Sequence, residues 1–120
     1  MADVSMGPAT VNIAGIRAGD KNLFTMTIKE NGQPLNLDNM DIQAQVRSKP
    51  SDVNPSLEAV IEIIDEANGK ISIQFPGSEV MTLLGQNPTW AGVWDLQLLA
   101  PDGATTICQG TFAAVMDITR

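Results

Sequence analysis

The chain has 120 residues, a length typical of one domain, and 43% of them are hydrophobic, which is enough to build a core unaided. Seven basic and 14 acidic residues give a net charge of −7, which opposes binding to nucleic acid or to anionic membranes. The sequence has no run of the roughly 18 apolar residues that a membrane-spanning helix needs.

Residues 1–8 are predicted to form a flexible N-terminal arm, and residues 9–120 a single β-sandwich domain. The arm lacks the basic and apolar regions of a secretory signal, so we expect the protein to be made in a cytoplasm. A first strand is predicted at residues 9–17, although its alternation is irregular. From residue 24 to residue 29 apolar and polar side chains alternate, which is typical of a half-buried strand.

Turn signals separate the next predicted strands. Asn31-Gly32 is a strong hairpin signal, because both residues tolerate positive φ, and an alternating strand follows at residues 41–47. Residues 57–65 suit either a strand or a helix. We favour a strand because this segment is rich in β-branched side chains and because Asn68-Gly69 provides a turn into another alternating strand at residues 70–75.

One short helix is predicted at residues 78–84, with Ser78 as its N-cap and Gly85 at its end. A long hairpin then runs from Thr89 to Ile118, with Pro-Asp-Gly as its turn. About seven strands, regularly spaced turns and one short helix predict an all-β fold, an immunoglobulin-like antiparallel β-sandwich.

The two arms of this hairpin each present two faces. One face is the predicted core and contains Trp90, Trp94, Leu96, Leu98, Cys108, Phe112 and Met116. The opposite face is more apolar than water contact requires, so we expect a partner to cover part of it. Its candidate interface residues are Val93, Leu99, Ile107, Ala113 and Val115.

Catalytic chemistry has little support in the sequence. With no histidine, the chain cannot form a Ser-His-Asp or Cys-His arrangement by itself. Cys108, the one cysteine, lies in the predicted core with no imidazole to activate it, and one soft ligand nearly excludes zinc. We therefore predict no catalytic residue, no cofactor, no metal site and no enzymatic activity.

Trp90 and Trp94 raise an alternative, because tryptophan is frequent at binding hot spots. Exposed indoles would favour a carbohydrate- or ligand-binding sandwich. Both residues lie on the predicted core face, where large rings fill the interior, and the core position is the preferred interpretation. Trp90, which is nearer the start of its strand, is the better candidate for exposure.

A series of short motifs follows a particular order along residues 15–119. The motifs are Arg17–Asp20, Asn31–Leu37, Ile42–Arg47, Asn68–Ile73, Trp90–Leu96, Pro101–Gly103 and a final strand with Gly110 in its middle. In this order the chain resembles the β-sandwich at the N-terminus of phage baseplate upper proteins, which also occurs in neck and fibre-anchoring proteins. Tryptophans stand at positions 90 and 94, where that pattern usually has tyrosines.

The resemblance implies a non-enzymatic bacteriophage virion structural protein of the neck, baseplate or fibre adaptor. Such a protein docks to other virion proteins and to copies of itself, without nucleic acid or membrane as a partner. The arm Met1–Pro8 and the tail Asp117–Arg120 are expected to order on contact with a neighbour. Because no fibre or stalk follows the domain, we expect an adaptor, connector or decoration. A capsid decoration protein and a carbohydrate- or ligand-binding module remain the alternatives.

Overall fold

Two β-sheets enclose the hydrophobic core. The computed structural model describes residues 2–5, 9–38 and 40–116. Its helical elements are α1 (Gly77–Leu84) and a 3₁₀ turn (Glu66–Asn68). The strands are β1 (Ala2–Ser5), β2 (Ala9–Thr10), β3 (Ile13–Arg17), β4 (Leu23–Glu30), β5 (Gln33–Pro34), β6 (Asp41–Arg47), β7 (Leu57–Glu58), β8 (Val60–Asp65), β9 (Lys70–Gln74), β10 (Thr89–Ala100) and β11 (Gly103–Val115).

The first sheet has the order β1-β4-β9-β8, with β5 also paired to β4. The second sheet has the order β2-β11-β10-β6-β7, with β3 also paired to β11. Seven strands in the described part of the chain have five or more residues, namely β3, β4, β6, β8, β9, β10 and β11. The predicted all-β sandwich with one short helix is confirmed.

The sandwich is not purely antiparallel, which corrects the prediction. Strand β1 pairs with β4 in parallel, and both β2 and β3 pair with β11 in parallel. These short strands come from the start of the chain and reach their partners without a hairpin, so the antiparallel direction that a hairpin imposes does not apply to them. Strand β1 lies within the segment predicted as a flexible arm. Residue 1, residues 6–8 and the tail 117–120 lie outside the described residues.

Residues 57–65 form two strands rather than the one predicted. Leu57 and Glu58 pair with β6 in the second sheet, whereas Val60–Asp65 pair with β9 in the first. Strand β7 therefore covers part of the edge of β6 before the chain crosses to the other sheet. The helix also begins slightly earlier than predicted, because Pro76 rather than Ser78 occupies the N-cap position.

The core lies between the sheets and joins their aromatic side chains. Phe75, which directly follows β9, packs against Phe112 of β11 with ring centroids 5.1 Å apart. Trp94 is 2% exposed, and its indole N–H donates a hydrogen bond of 2.7 Å to the Val11 carbonyl, which ties the segment between β2 and β3 to the core. Gly110 lets that segment approach, since a Cβ there would lie 2.0 Å from the Val11 carbonyl oxygen.

A β-bulge in the hairpin changes which side chains reach the core. Leu96 pairs with Cys108, but Gln97 pairs with Thr106, so Ile107 is the extra residue on β11. Both Ile107 and Cys108 are fully buried. The placement of Ile107 on the outer face was therefore wrong, because strict alternation does not hold across a bulge.

The Trp94 hydrogen bond leads to a stability prediction. Phenylalanine at position 94 would lose the indole N–H, leave the Val11 carbonyl without this donor and open a small cavity, so Trp94→Phe should lower the free energy of unfolding by about 3 kcal/mol. The matched control is Trp90→Phe. Trp90 is half-buried, so this change should cost about 1 kcal/mol. Urea denaturation of both variants checks this, and equal losses would contradict the role given to the hydrogen bond.

Candidate docking surfaces

The outer face of the second sheet is polar at its centre. The register places Val93 between Arg47 and Thr111, and in the next row Asp95 between Gln45 and Gln109. Polar side chains therefore flank Val93 and fill the row around Asp95, on the face that the sequence suggested would be apolar.

Arg47 is held at this centre by three acceptors. Its guanidinium donates to the Gln45 side-chain oxygen at 2.6 Å and to the Asp52 carbonyl at 3.1 Å, and it forms an ion pair with Asp95 at 3.7 Å. Burial raises the pKa of the Asp95 carboxyl, and the charge of Arg47 opposes that shift. The surface thus combines a positioned cation with a partly desolvated carboxylate.

An open groove of about 720 Å³ lies over these residues. Asn12 borders it from the link between β2 and β3, and its side-chain oxygen accepts a hydrogen bond from the Thr111 backbone N–H at 3.0 Å. Amide, hydroxyl and charged groups share the lining of the groove with apolar surface, and these polar groups can bind a polar side chain or a bridging water. Its polar lining includes Asn12, Arg47, Asp52, Asp95, Gln109 and Thr111.

Four of the five candidate interface residues do lie on this outer face, half-buried: Val93, Leu99, Ala113 and Val115. They do not form one patch. Val93 and Leu99 are separated by six positions on β10, or roughly 20 Å along the strand. Ala113 is a diagonal neighbour of Val93, because it pairs with Ala91, while Leu99 stands beside Ala104 at the other end. Ile107, the fifth residue, is in the core.

The tryptophans provide no exposed platform for a ligand. Trp94 is buried, and Trp90 is half-buried against Phe112, with ring centroids 6.1 Å apart at a near-perpendicular angle. Both indoles therefore belong to the core face, as preferred from the sequence. The carbohydrate-binding alternative loses the residues that favoured it.

The described residues offer little for catalysis or metal binding. Burial, with the charge of Asp95 as a smaller cause, raises the pKa of Cys108 to about 12, so its thiol is protonated at neutral pH. Within the described ranges no three carboxylate or thiol groups stand close enough to hold a metal ion. Nor does any described helix have the length and apolar character to cross a membrane.

Among the strands whose side chains the structure describes, β8 has the most exposed large apolar residues. Val60 and Ile64 are each 54% exposed and Ile63 is 37% exposed. Val60 and Glu62 face away from the core, Ile61 and Ile63 face it, and Ile64 occupies a bulge before Asp65. The sequence carried this signal in the run of β-branched residues from Val60 to Ile64. In the sequence this run favours a strand over a helix but does not indicate that the strand is exposed.

A smaller cleft of about 410 Å³ opens between β3 and β4. Its apolar lining includes Ile13, Phe24, Met26 and Ile73, and Phe24 is 40% exposed. Strand β1 pairs with β4 only from Met26 onwards, which leaves Leu23, Phe24 and Thr25 without a strand partner on that side among the described residues. Among the described residues, the exposed large apolar side chains that lie on strands therefore all belong to the first sheet.

Comparisons with known proteins found a matching family model and a solved structure of similar fold. The model of the BppU N-terminal domain family matches residues 3–103. The N-terminal domain of phage TP901-1 ORF48 aligns over 98% of this chain and 99% of its own length, with a TM-score of 0.52 and 17% identity, which shows a shared fold. The bradyzoite-specific antigen BSR4 of Toxoplasma gondii aligns over 96% of this chain and 48% of its own at 10% identity, and its TM-score of 0.31 supports no argument. No curated protein matched.

The buried thiol gives a direct chemical test. Because the folded pKa of Cys108 is raised to about 12, the thiol favours folding below its ordinary pKa near 9.0, and that contribution is lost as the pH rises towards 12. At pH 8 the native protein should react with a thiol reagent at least about 100-fold more slowly than the urea-unfolded chain. The control is Cys108→Ala with Thr111→Cys, which places a thiol at an exposed position of β11. Similar rates for the native protein and this control would contradict the burial.

Proposed function

The chain belongs to the BppU N-terminal domain family, a phage baseplate-related domain, and from that premise we propose that it is a non-enzymatic structural protein of the baseplate that docks to other virion proteins and to copies of itself. The observation that carries this proposal is the family match over residues 3–103. The shared fold extends over nearly the whole of both chains, which supports a single domain of this fold in the chain.

The surface chemistry supports a docking role. Seven large hydrophobic side chains in the described part of the chain are at least 37% exposed, and five of them belong to strands β4 and β8 of the first sheet: Leu23, Phe24, Val60, Ile63 and Ile64. Apolar side chains concentrated on one sheet are a feature of surfaces that a partner covers. The net charge of −7 favours solubility of free copies before assembly.

The buried groups support a role without catalysis. The thiol is protonated and enclosed, the chain has no histidine, and the Asp95 carboxyl is paired with Arg47 rather than with a second carboxyl. These groups lack the nucleophile and base pairing that acyl transfer requires. The acidic net charge likewise supports protein partners over nucleic acid.

Location in the particle tests the proposed function. In purified particles of the phage that encodes this chain, we expect the protein at a constant ratio to the major tail proteins, and we expect immunogold label at the distal end of the tail. A phage-encoded enzyme of replication serves as the control for contamination and should be absent. Loss of the protein on particle purification, or label spread over the capsid, would contradict a baseplate role. The second result would support the decoration alternative.

A further inference from the structure

Strand β8 is the longest of the strands that end the two sheets. It has six residues, whereas β1 has four, β2 and β7 have two each, and β3, which also pairs with β11, has five. Its pairing with β9 uses one edge, and no strand in the described part of the chain pairs with the other. A free strand edge presents unpaired N–H and C=O groups that a second strand can bind.

The side chains along this edge fit an apolar neighbour. Val60 is 54% exposed on the outer face of the sheet, in the same row as Leu23, which is 49% exposed, because both residues pair with Gln74 of β9. On the inner face Ile63 remains 37% exposed even though it pairs with the buried Ile71. An added strand would cover β-branched side chains on both faces of the sheet.

The charges along this segment select the chemistry of that strand. Between Lys49 and Lys70 the sequence contains no lysine or arginine, while Glu58, Glu62, Asp65 and Glu66 lie on or beside β8. Glu62 is exposed on the outer face, next to the free edge. An incoming strand with Lys or Arg near Glu62 gains a favourable cross-strand pair, whereas an acidic strand is repelled.

A second copy of this chain is a poor occupant of the edge. Pairing of two β8 strands around a two-fold axis would bring Glu62 and Asp65 of each copy into one two-stranded ribbon, with no cation on either β8 strand to offset them. Like charges directly opposite one another destabilise a sheet. Charge therefore favours a strand from a different protein.

We propose that the free edge of β8 binds an extended segment of another virion protein, which adds to the first sheet as a further strand and carries β-branched residues alternating with lysine or arginine. Main-chain hydrogen bonds would supply much of the affinity, and the side chains the selectivity. This inference rests on the proposed function, because it names the surface and the partner chemistry of the docking. The groove over Arg47 and Asp95 takes no part in it.

Photo-crosslinking in assembled particles tests the occupant. A photoreactive amino acid at Val60 or Ile64 should crosslink to a Lys- or Arg-bearing segment of another virion protein. The same group at Thr111, which is exposed on the second sheet, should not reach that segment. Crosslinks from β8 only to another copy of this chain would overturn the proposal. An absence of β8 crosslinks in particles that contain the protein would also overturn it, while leaving the baseplate assignment intact.

Charge reversal tests the selectivity separately. Glu62→Lys should lower incorporation into particles at least about tenfold, because it places like charges at the contact. Glu79→Lys makes the same change in net charge on the exposed surface of α1 and should be incorporated normally. Circular dichroism and thermal unfolding of the free variants establish that both fold. Normal incorporation of folded Glu62→Lys protein would overturn the charge argument, and rescue by Lys→Glu or Arg→Glu in the crosslinked segment would support it.

Discussion

The long antiparallel pairing of β10 with β11 is the interaction on which the rest of the sandwich depends. It runs from Thr89 opposite Val115 to Ala100 opposite Gly103, and the second sheet is built outwards from it on both sides. Its inner face supplies Trp94 and Phe112. Trp94 holds the link between β2 and β3 by a hydrogen bond. Phe112 packs against Phe75, which directly follows β9. One hairpin thus positions the N-terminal strands and joins the two sheets.

Much of this architecture could be predicted because it depends on local patterns. The alternation around Met26, the turn at Asn31-Gly32 and the Pro-Asp-Gly link of the hairpin are each fixed by neighbours in the sequence, and they predicted the sandwich correctly. The resemblance to phage baseplate upper proteins is confirmed by the family match over residues 3–103. Features that depend on distant contacts were not predictable in this way. The bulge that buries Ile107 is visible only in the register of two strands, and the crossing from β7 to β8 at Ala59 requires knowledge of both sheets.

The candidate interface also changed once the strand order was known, from the outer face of β10 and β11 to strand β8 at the end of the first sheet. Alternation pointed to Val93, Leu99, Ala113 and Val115, and these four do face outwards. However, Asp95 and Gln109 of the hairpin itself stand between them, and the neighbouring strand β6 adds Arg47. For Val60, Ile63 and Ile64 the reverse holds, because these residues are exposed although their sequence pattern does not indicate it. A run of β-branched residues is typical of a buried strand, and only the strand order shows that β8 ends its sheet. The position of a strand within its sheet decided which apolar residues are available to a partner.

A reconstruction of the tail tip at side-chain resolution tests the central claim most directly, because it shows what lies against each edge of the sandwich. We expect a backbone segment of another virion protein to be hydrogen-bonded along Val60–Asp65, with a lysine or arginine beside Glu62. The groove over Arg47 should be open to solvent. A particle in which β8 faces solvent, while the outer face of β10 and β11 is buried against a neighbour, would contradict the account.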